Sequence, residues 1–406
     1  MIVLAGMDIV LPDRVLPRAT LVIEDTRITA IEPRVIDPPH GATRVDLTGS
    51  LVVPGFIDVH VHGVAGHDVL DGEEAVNEVA ARLPQYGVTA FCPTSIACRP
   101  AALRTMLRGV ERSRGGEGTH GGARVLPAHL ESNFINPDYK GAQPLDCLRR
   151  PAARAPSAAS STGEEFAAVE ILDTIAAYRA SVGIITLAPE IDGGLELVRD
   201  LAAAGHIVSL GHTGATYDEA RAAIAAGATQ ATHLFNRMAP LSHRAPGVAG
   251  AVLQSDQVVA ELICDGFHVH PALMQVAIRA KGLDGVMAIT DGTAGSGLPV
   301  GSRTTLGGRP LVVTARSAEL EDGTLAGSVL TMDGAFRTLV RDVGLNLVEA
   351  ARLCATSPAR QLGLRDTGRI APGATADLVV LDEQYRVTRT YLSGRHWRNP
   401  ADGPHV

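Results

Sequence analysis

Six side chains carry most of the chemistry this sequence can offer. His60 and His62 form an HxH in FIDVHVH, Glu131 stands in HLES, His212 in SLGHT, His233 in ATHLF and Asp291 in AITDGT. On a β-strand, residues i and i+2 point to one face, so His60 and His62 can offer two imidazoles to one ion. HxH alone is equally well two unrelated strand histidines. Glu131 lies among apolar residues, where a carboxylate keeps its charge only if it is paired or metal-bound. The plain alternative is an ordinary salt bridge. Two or three neutral imidazoles with one carboxylate suit zinc or a similar borderline metal and leave a position open for water. Asp291 adds a second carboxylate. Beside a water activated by such a metal it can take a proton and later return it to a leaving group. The structural alternative is an Asp capping the turn at Gly292 and Thr293.

Other polar residues have less context. His268, in CDGFHVHP, can bind substrate or assist the metal, whereas His270, beside Pro271, belongs to the start of the next helix. Asn236, Arg237, His243 and Arg244 share the Pro- and Gly-broken loop FNRMAPLSHRAPG, where an Arg can grip a phosphate or carboxylate through two parallel hydrogen bonds. His129 shares a strand face with Glu131 and reads as a packed residue rather than a ligand. His67 is given no role, and His40, His120, His206, His396 and His405 have no supporting context.

Residues so far apart in sequence need elements that bring them together. Eight short apolar runs, at 56–62, 87–95, 125–132, 183–190, 206–213, 228–236, 259–269 and 286–293, alternate with helical stretches such as GLELVRDLAAAG and YDEARAAIAAGA. That alternation is the signature of βα units and a parallel sheet. Eight units within roughly 250–300 residues match an α/β fold of the (β/α)8 TIM-barrel type. A doubly wound open sheet would want a GxGxxG loop after a strand, and none occurs. Barrel active sites lie at the C-terminal ends of the strands. His60 and His62, Glu131, His212, His233 and Asp291 all fall at such ends, so the fold gathers them at one mouth. Both chain ends are β-rich and predict one small β-sandwich domain built from residues 1–54 and 365–406, around a barrel domain at 55–364. RRPAARAPSAASSTGEE (149–165) reads as a loop after the third strand. Residues 301–328 read as a β-hairpin excursion near the barrel mouth, with the makings of a lid.

Composition narrows the partners. The 406 residues carry 36 Lys+Arg against 44 Asp+Glu, a formal net charge of -8. This argues against nucleic acid and against an anionic membrane, but not against a small anion held by one local Arg. The hydrophobic fraction of 46% excludes wholesale disorder. Five cysteines, an odd number without a CxxC pair, argue against a disulfide framework or a cysteine zinc site and fit a reducing cytoplasm. The N-terminus lacks a basic n-region, and no apolar run approaches about 18 residues, so neither a signal peptide nor a transmembrane helix is predicted.

The motifs PGFIDVHVHG, HLES with a downstream GAQP, GHTGAT, THLFNRM, DGFHV, ITDGTAG, DGTLAGSVLTM and GRIAPGATADLVVLD follow one another in this order. Together they resemble the N-acetylglucosamine-6-phosphate deacetylase family of the amidohydrolase superfamily, over nearly the whole chain. The resemblance implies a metal-dependent TIM barrel with a small β-sandwich, usually a homodimer. It implies metal ligands at Glu131, His212 and His233. His60 and His62 would add a second ion that Glu131 bridges. The metal is expected to be Zn2+, with Fe2+, Mn2+ or Co2+ as alternatives and one or two ions. Asp291 matches the catalytic Asp. Sugar-phosphate contacts match Asn236, the backbone at Arg237, and His268, and the phosphate-gripping Arg, which can reach across the dimer, matches Arg244. The implied reaction is hydrolysis of N-acetylglucosamine 6-phosphate to glucosamine 6-phosphate and acetate by a metal-activated hydroxide, with Asp291 as general base and then acid.

Departures from the family pattern are Ser132 and Asn133 in place of a Gly-Pro turn, Arg237 in place of a small residue, Gly292 in the TDGT segment, and Gln143 where some members have His. All are expected near the sugar. They motivate N-acetylgalactosamine 6-phosphate as an alternative substrate. A cyclic-amide hydrolase or dipeptidase would often bridge its metals with a strand Lys, but only Lys140 and Lys281 are candidates and neither ends a predicted strand. A non-catalytic sugar-phosphate sensor on the same fold is the more remote alternative.

Overall fold

The computed structural model describes residues 1–115, 121–152 and 166–399. Most of the Ala/Pro/Ser-rich loop read at 149–165, and the histidines at 120 and 405, fall outside these described residues. Eight strands pair in parallel, in chain order: β1 (Phe56–Val61), β2 (Val88–Ser95), β3 (Ala128–Glu131), β4 (Val182–Leu187), β5 (Ile207–Leu210), β6 (Ala228–Ala231), β7 (Val259–Ile263) and β8 (Val286–Ile289). Seven lie within runs read from the sequence, and β4 begins one residue before its run at 183–190. β8 meets β1 only at the C-terminal end. There the backbone N of Asp291 donates to the carbonyl of His60 (2.9 Å) and that of His62 to the carbonyl of Gly292 (2.8 Å). The seam that closes the barrel therefore joins the HxH to the Asp291 segment.

Every residue of β1, β2 and β3 is buried, as expected for parallel strands covered on both faces. Helices cover the outside by ordinary helical spacing. In Pro100–Arg114 the buried set includes Leu103, Met106, Leu107 and Val110, at positions i, i+3, i+4 and i+7. Tyr217–Ala225 begins at a capping box, in which Thr216 accepts from the backbone of Glu219 and the Glu219 carboxylate accepts from the backbone of Thr216. The helix Ala75–Arg82 runs into a short 3-10 turn over Leu83–Tyr86, which Gly87 ends at φ +80°.

The chain ends form one eight-stranded sheet. Leu378–Leu381 pairs antiparallel with Leu51–Pro54, and Leu51 and Val52 pair parallel with Ile2–Val10, whose first half pairs with Thr43–Asp46 instead. Alternation along these strands divides the sheet between two cores. Val52, Leu378 and Val380 join Leu4, Met7, Ile9 and Tyr391 in a core of their own. Leu51, Val53, Val379 and Leu381 face the barrel core, so the two termini are bolted to the barrel. Phe56, at the start of β1, stacks on Phe336 with ring centroids 5.6 Å apart, and both are fully buried. Phe336→Ala is expected to lower stability by about 3–5 kcal/mol, read as a drop in the denaturation midpoint. An unchanged midpoint would place that ring outside the folding core.

The excursion read at 301–328 is a three-stranded antiparallel sheet, Arg303–Leu306, Arg309–Val313 and Ala318–Leu320. It is fixed at the barrel mouth rather than free: the buried Asp68 carboxylate accepts from the backbone of Gly307 (2.7 Å), and Arg309 donates to the carbonyl of Ala142. No helix among the described residues is long and apolar enough to cross a membrane.

Candidate active site

The mouth of the barrel holds a cavity of about 260 Å³, lined among others by His62, Glu131, His212, His233 and Asp291. At its base Glu131 Oε1 lies 2.9 Å from the Nε2 of both His212 and His233, and those two nitrogens lie 3.1 Å apart. His60 and His62 form a second group with Asp291, whose Oδ1 lies 3.2 Å from each Nε2. Glu131 stands between the groups, 3.7 Å from His60 and from His62. Barrel strands more than 200 residues apart in the chain thus deliver six side chains to one small volume.

The backbone at these strand ends is unusual. His212 (φ +48°), His233 (+30°), Phe235 (+78°), Arg237 (+50°) and Asp291 (+49°) all take the left-handed conformation and all line the cavity. Such conformations cost about 1–3 kcal/mol each and persist only where the surroundings fix them. Here they are fixed by the closing hydrogen bond to Asp291 N, by Glu261 accepting from His233 N (3.2 Å), and by Arg237 accepting from Thr213 N (3.1 Å).

The imidazoles are set up as lone-pair donors. His62 Nδ1 donates to the Thr94 carbonyl (2.9 Å) and His212 Nδ1 to the Tyr139 carbonyl (2.8 Å), so each turns an unprotonated Nε2 toward the carboxylates. With His233 turned the same way, two nitrogens and a carboxylate oxygen at 2.9–3.1 Å repel one another unless a proton or a metal cation sits among them. Zinc bonds of about 2.0–2.1 Å place neighbouring donors of a tetrahedral shell about 3.3 Å apart, close to the spacing found. His60 Nε2 and His233 Nδ1 are buried without a hydrogen-bond partner among the described residues. The donor set fits a borderline divalent metal at Glu131, His212 and His233, and a second at His60, His62 and Asp291; each group has its donor atoms within 4.8 Å of one another.

Electrostatics point the same way. Burial alone would raise Glu131 and Asp291 and lower His60. The imidazoles of His212 and His60 instead hold Glu131 well below the usual carboxylate range, and those of His60 and His62 do the same for Asp291. Asp291 and Glu261 in turn hold His60 well above its ordinary value. Three buried carboxylates therefore require positive charge in this cluster, which protons or a divalent cation can supply. His129 behaves differently. Burial pushes it down to about 4, and its nitrogens are spent on the Val59 carbonyl (3.0 Å) and the Thr186 hydroxyl (2.8 Å), so it packs beneath the cluster as a neutral ring.

Around the cluster, Gln143 is held at both ends. Its Oε1 accepts from Ala97 N (2.7 Å) and its Nε2 donates to Glu131 Oε2. Asn236, Arg237 and His268 line the cavity, and His268 Nδ1 donates to Asp265 (2.6 Å). Arg244 is exposed and does not line the cavity. Ser132 and Asn133, expected near the sugar, do not line it either. The Ser132 hydroxyl donates to the Thr186 carbonyl, and Asn133 Nδ2 to the carbonyls of Cys98 and Cys147, because a turn without Gly-Pro satisfies its backbone neighbours through these side chains. His270 Nδ1 accepts from Ala272 N (3.2 Å) as a helix cap. Lys140 and Lys281 donate to the backbone carbonyls of Gly141 and Ser255.

Two supporting carboxylates escaped the sequence reading. Glu261 on β7 accepts from His60 Nδ1 (2.9 Å) and Gln230 Nε2 (2.6 Å). Glu190, after β4, accepts from Asn136, Thr213 and the backbone of Gly214 and so shapes the loop that carries His212. The signal for Glu261 was present: it is the one charge inside the apolar run VAELIC, the same argument that marks Glu131.

The amidohydrolase family model matches residues 51–396, a span that holds every residue of the cluster. The chain is also 34% identical over 360 residues to the N-acetylglucosamine-6-phosphate deacetylase of Lysinibacillus sphaericus, covering 87% of each protein. This chain belongs to the amidohydrolase family and, within it, to the N-acetylglucosamine-6-phosphate deacetylases. The N-acetylgalactosamine-6-phosphate deacetylase of Escherichia coli O157:H7 is 34% identical over 92% of this chain and 93% of its own. Among solved structures, a mutant N-acetyl-D-glucosamine-6-phosphate deacetylase from Mycobacterium smegmatis, in complex with N-acetyl-D-glucosamine-6-phosphate, superposes with a TM-score of 0.84 at 32% identity. It covers 97% of this chain and 98% of that one. Membership makes the chain a hydrolytic enzyme and accounts for the eight-stranded barrel with its terminal sheet.

Proposed function

We propose that this protein hydrolyses the acetamide of N-acetylglucosamine 6-phosphate, giving glucosamine 6-phosphate and acetate. The observation that carries this reading is the Glu131–His212–His233 triangle with Asp291 beside it at the cavity floor. Full-length similarity to a protein solved with that sugar phosphate supports it.

Glu131, His212 and His233 would hold one divalent ion and His60, His62 and Asp291 a second, Zn2+ by preference, with Fe2+, Mn2+ or Co2+ as alternatives of similar ligand taste. Such an ion supplies a Lewis acid for the amide carbonyl and lowers the pKa of an attacking water. Asp291, held well below the usual carboxylate range, is ionised at neutral pH and accepts the proton of that water. Water oxygen bonds to the amide carbon, the C–N bond breaks, and Asp291 returns the proton to the departing amine nitrogen. Gln143, Asn236, Arg237 and His268 surround the sugar, and their fixed positions orient the amide over the carboxylate.

Arg244, exposed and outside the cavity of its own chain, suits a phosphate contact reached across a homodimer. Loss of a charge-assisted hydrogen bond costs about 1.5–3 kcal/mol. Arg244→Ala should therefore raise KM about 10- to 100-fold and leave kcat nearly unchanged; an unaltered KM would remove Arg244 from the substrate site. Five free, buried cysteines fit a cytoplasmic enzyme. The gluco epimer is favoured over the galacto epimer by the full-length similarity to N-acetylglucosamine-6-phosphate deacetylases; of the departures that motivated the alternative, Ser132 and Asn133 are turned away from the cavity, while Gln143 and Arg237 line it. Acetate release from the two sugar phosphates with added zinc is the test. A higher kcat/KM for the galacto substrate would reverse the assignment, and no release from either would overturn the activity.

A further inference from the structure

Glu261 is a wholly buried charge (0% exposed) that the reaction above does not use. Among the described residues no Lys or Arg pairs with it. One oxygen, Oε2, accepts from His60 Nδ1 (2.9 Å) and from His233 N (3.2 Å); the other accepts from Gln230 Nε2 (2.6 Å). His129 is no partner, since its Nδ1 stands 3.8 Å away and donates to Val59.

The contrast with the other imidazoles is informative. His62 and His212 are oriented by backbone carbonyls. His60 is oriented by a full carboxylate, which fixes the Nδ1–H tautomer and makes the opposite nitrogen a stronger donor. That nitrogen, Nε2, has no hydrogen-bond partner among the described residues and stands 3.2 Å from Asp291 and 3.7 Å from Glu131. A nitrogen held against two carboxylates needs positive charge between them, which a proton supplies in the metal-free protein and a bound cation would replace. The same carboxylate also anchors the backbone of His233 in its left-handed conformation.

We infer that Glu261 is the positioning residue that builds the second cation position, by locking His60 with its Nε2 lone pair turned toward Asp291. Gln at 261 can offer its NH2 to His60 Nδ1 and so allow the opposite tautomer, whose Nε2–H cannot ligate. Asp keeps the charge but retracts it.

The inference rests on the metal-dependent reading, which acetate release by the wild type tests separately. The deciding experiment titrates metal-free, full-length protein with Co2+, following stoichiometry by calorimetry and the visible bands of the bound ion. The wild type should take two equivalents. Glu261→Gln should keep the first and bind the second about 10- to 100-fold more weakly, with Glu261→Asp in between. Two equivalents of unchanged affinity in Glu261→Gln, equal loss of both, or a single equivalent in the wild type would each overturn the inference. If Glu261→Gln does not fold, nitrogen NMR of histidine-labelled, zinc-loaded wild type decides. His60 should carry its proton on Nδ1, and an Nε2–H tautomer would overturn the assignment.

Discussion

Asp291→Asn should lower kcat by about 10²- to 10⁴-fold, the range for loss of a positioned general acid–base group. The amide keeps the shape of the carboxylate and the closing hydrogen bond from Asp291 N to the His60 carbonyl, so the barrel seam stays intact. What disappears is a proton acceptor that the neighbouring imidazoles hold in its ionised form. Because the side chain takes no part in the Glu131–His212–His233 triangle, that triangle should keep its ion, and KM should move far less than kcat. Metal analysis alongside acetate-release kinetics makes the comparison. Near-normal turnover with a full metal complement would take Asp291 out of the mechanism.

Glu131→Gln should be still more damaging, because it strikes the centre of both groups. Glu131 Oε1 lies 2.9 Å from both His212 Nε2 and His233 Nε2, and the residue spans toward His60 and His62 at 3.7 Å. A neutral amide removes the charge that holds a cation there. Metal affinity should fall by more than the about 10- to 100-fold typical of losing an outer partner of a ligand, and acetate release should fall to background at ordinary metal concentrations. Gln143 donates to the other oxygen of Glu131, and an amide at 131 can still accept that bond, so the fold should survive. Retained metal stoichiometry in a folded Glu131→Gln protein would show that the triangle is not the binding site.

The two variants separate functions that the geometry places within a few ångströms of each other. Asp291→Asn should give an inactive enzyme that holds metal, and Glu131→Gln an inactive enzyme that does not.

Much of this centre was legible in the sequence, for a physical reason. Parallel barrel strands are buried on both faces, so a His or Glu inside an apolar run must have a partner, and the C-terminal strand ends of a barrel converge. Residue type and strand position together marked His60, His62, Glu131, His212, His233 and Asp291 without any knowledge of distances. His129 was read correctly as packing, since it lies one pleat deeper than Glu131 on the same strand face. Glu261 was passed over although the rule that found Glu131 applies to it equally. Its carboxylate sits behind His60 and His233 rather than at the mouth, and nothing in a one-dimensional pattern says which buried charge faces the cavity and which supports it.

The turn after β3 shows the opposite limit. Ser132 and Asn133 follow Glu131 directly in sequence and were expected to face the sugar, yet their side chains satisfy the carbonyls of Thr186, Cys98 and Cys147. A side chain in an irregular turn points wherever unpaired backbone groups need it, and those groups belong to segments far away in the chain.

The sequence by itself determined the barrel, the shared sheet of the two termini and the identity of the donors, because periodicity and burial act locally along each strand. Only the tertiary structure decided how those donors meet: the tautomers set by Thr94, Tyr139 and Glu261, the left-handed backbone at His212, His233 and Asp291, and the seam that ties His60 to Asp291. Each of these is a contact between segments distant in sequence, and its energy exists only once the barrel has closed.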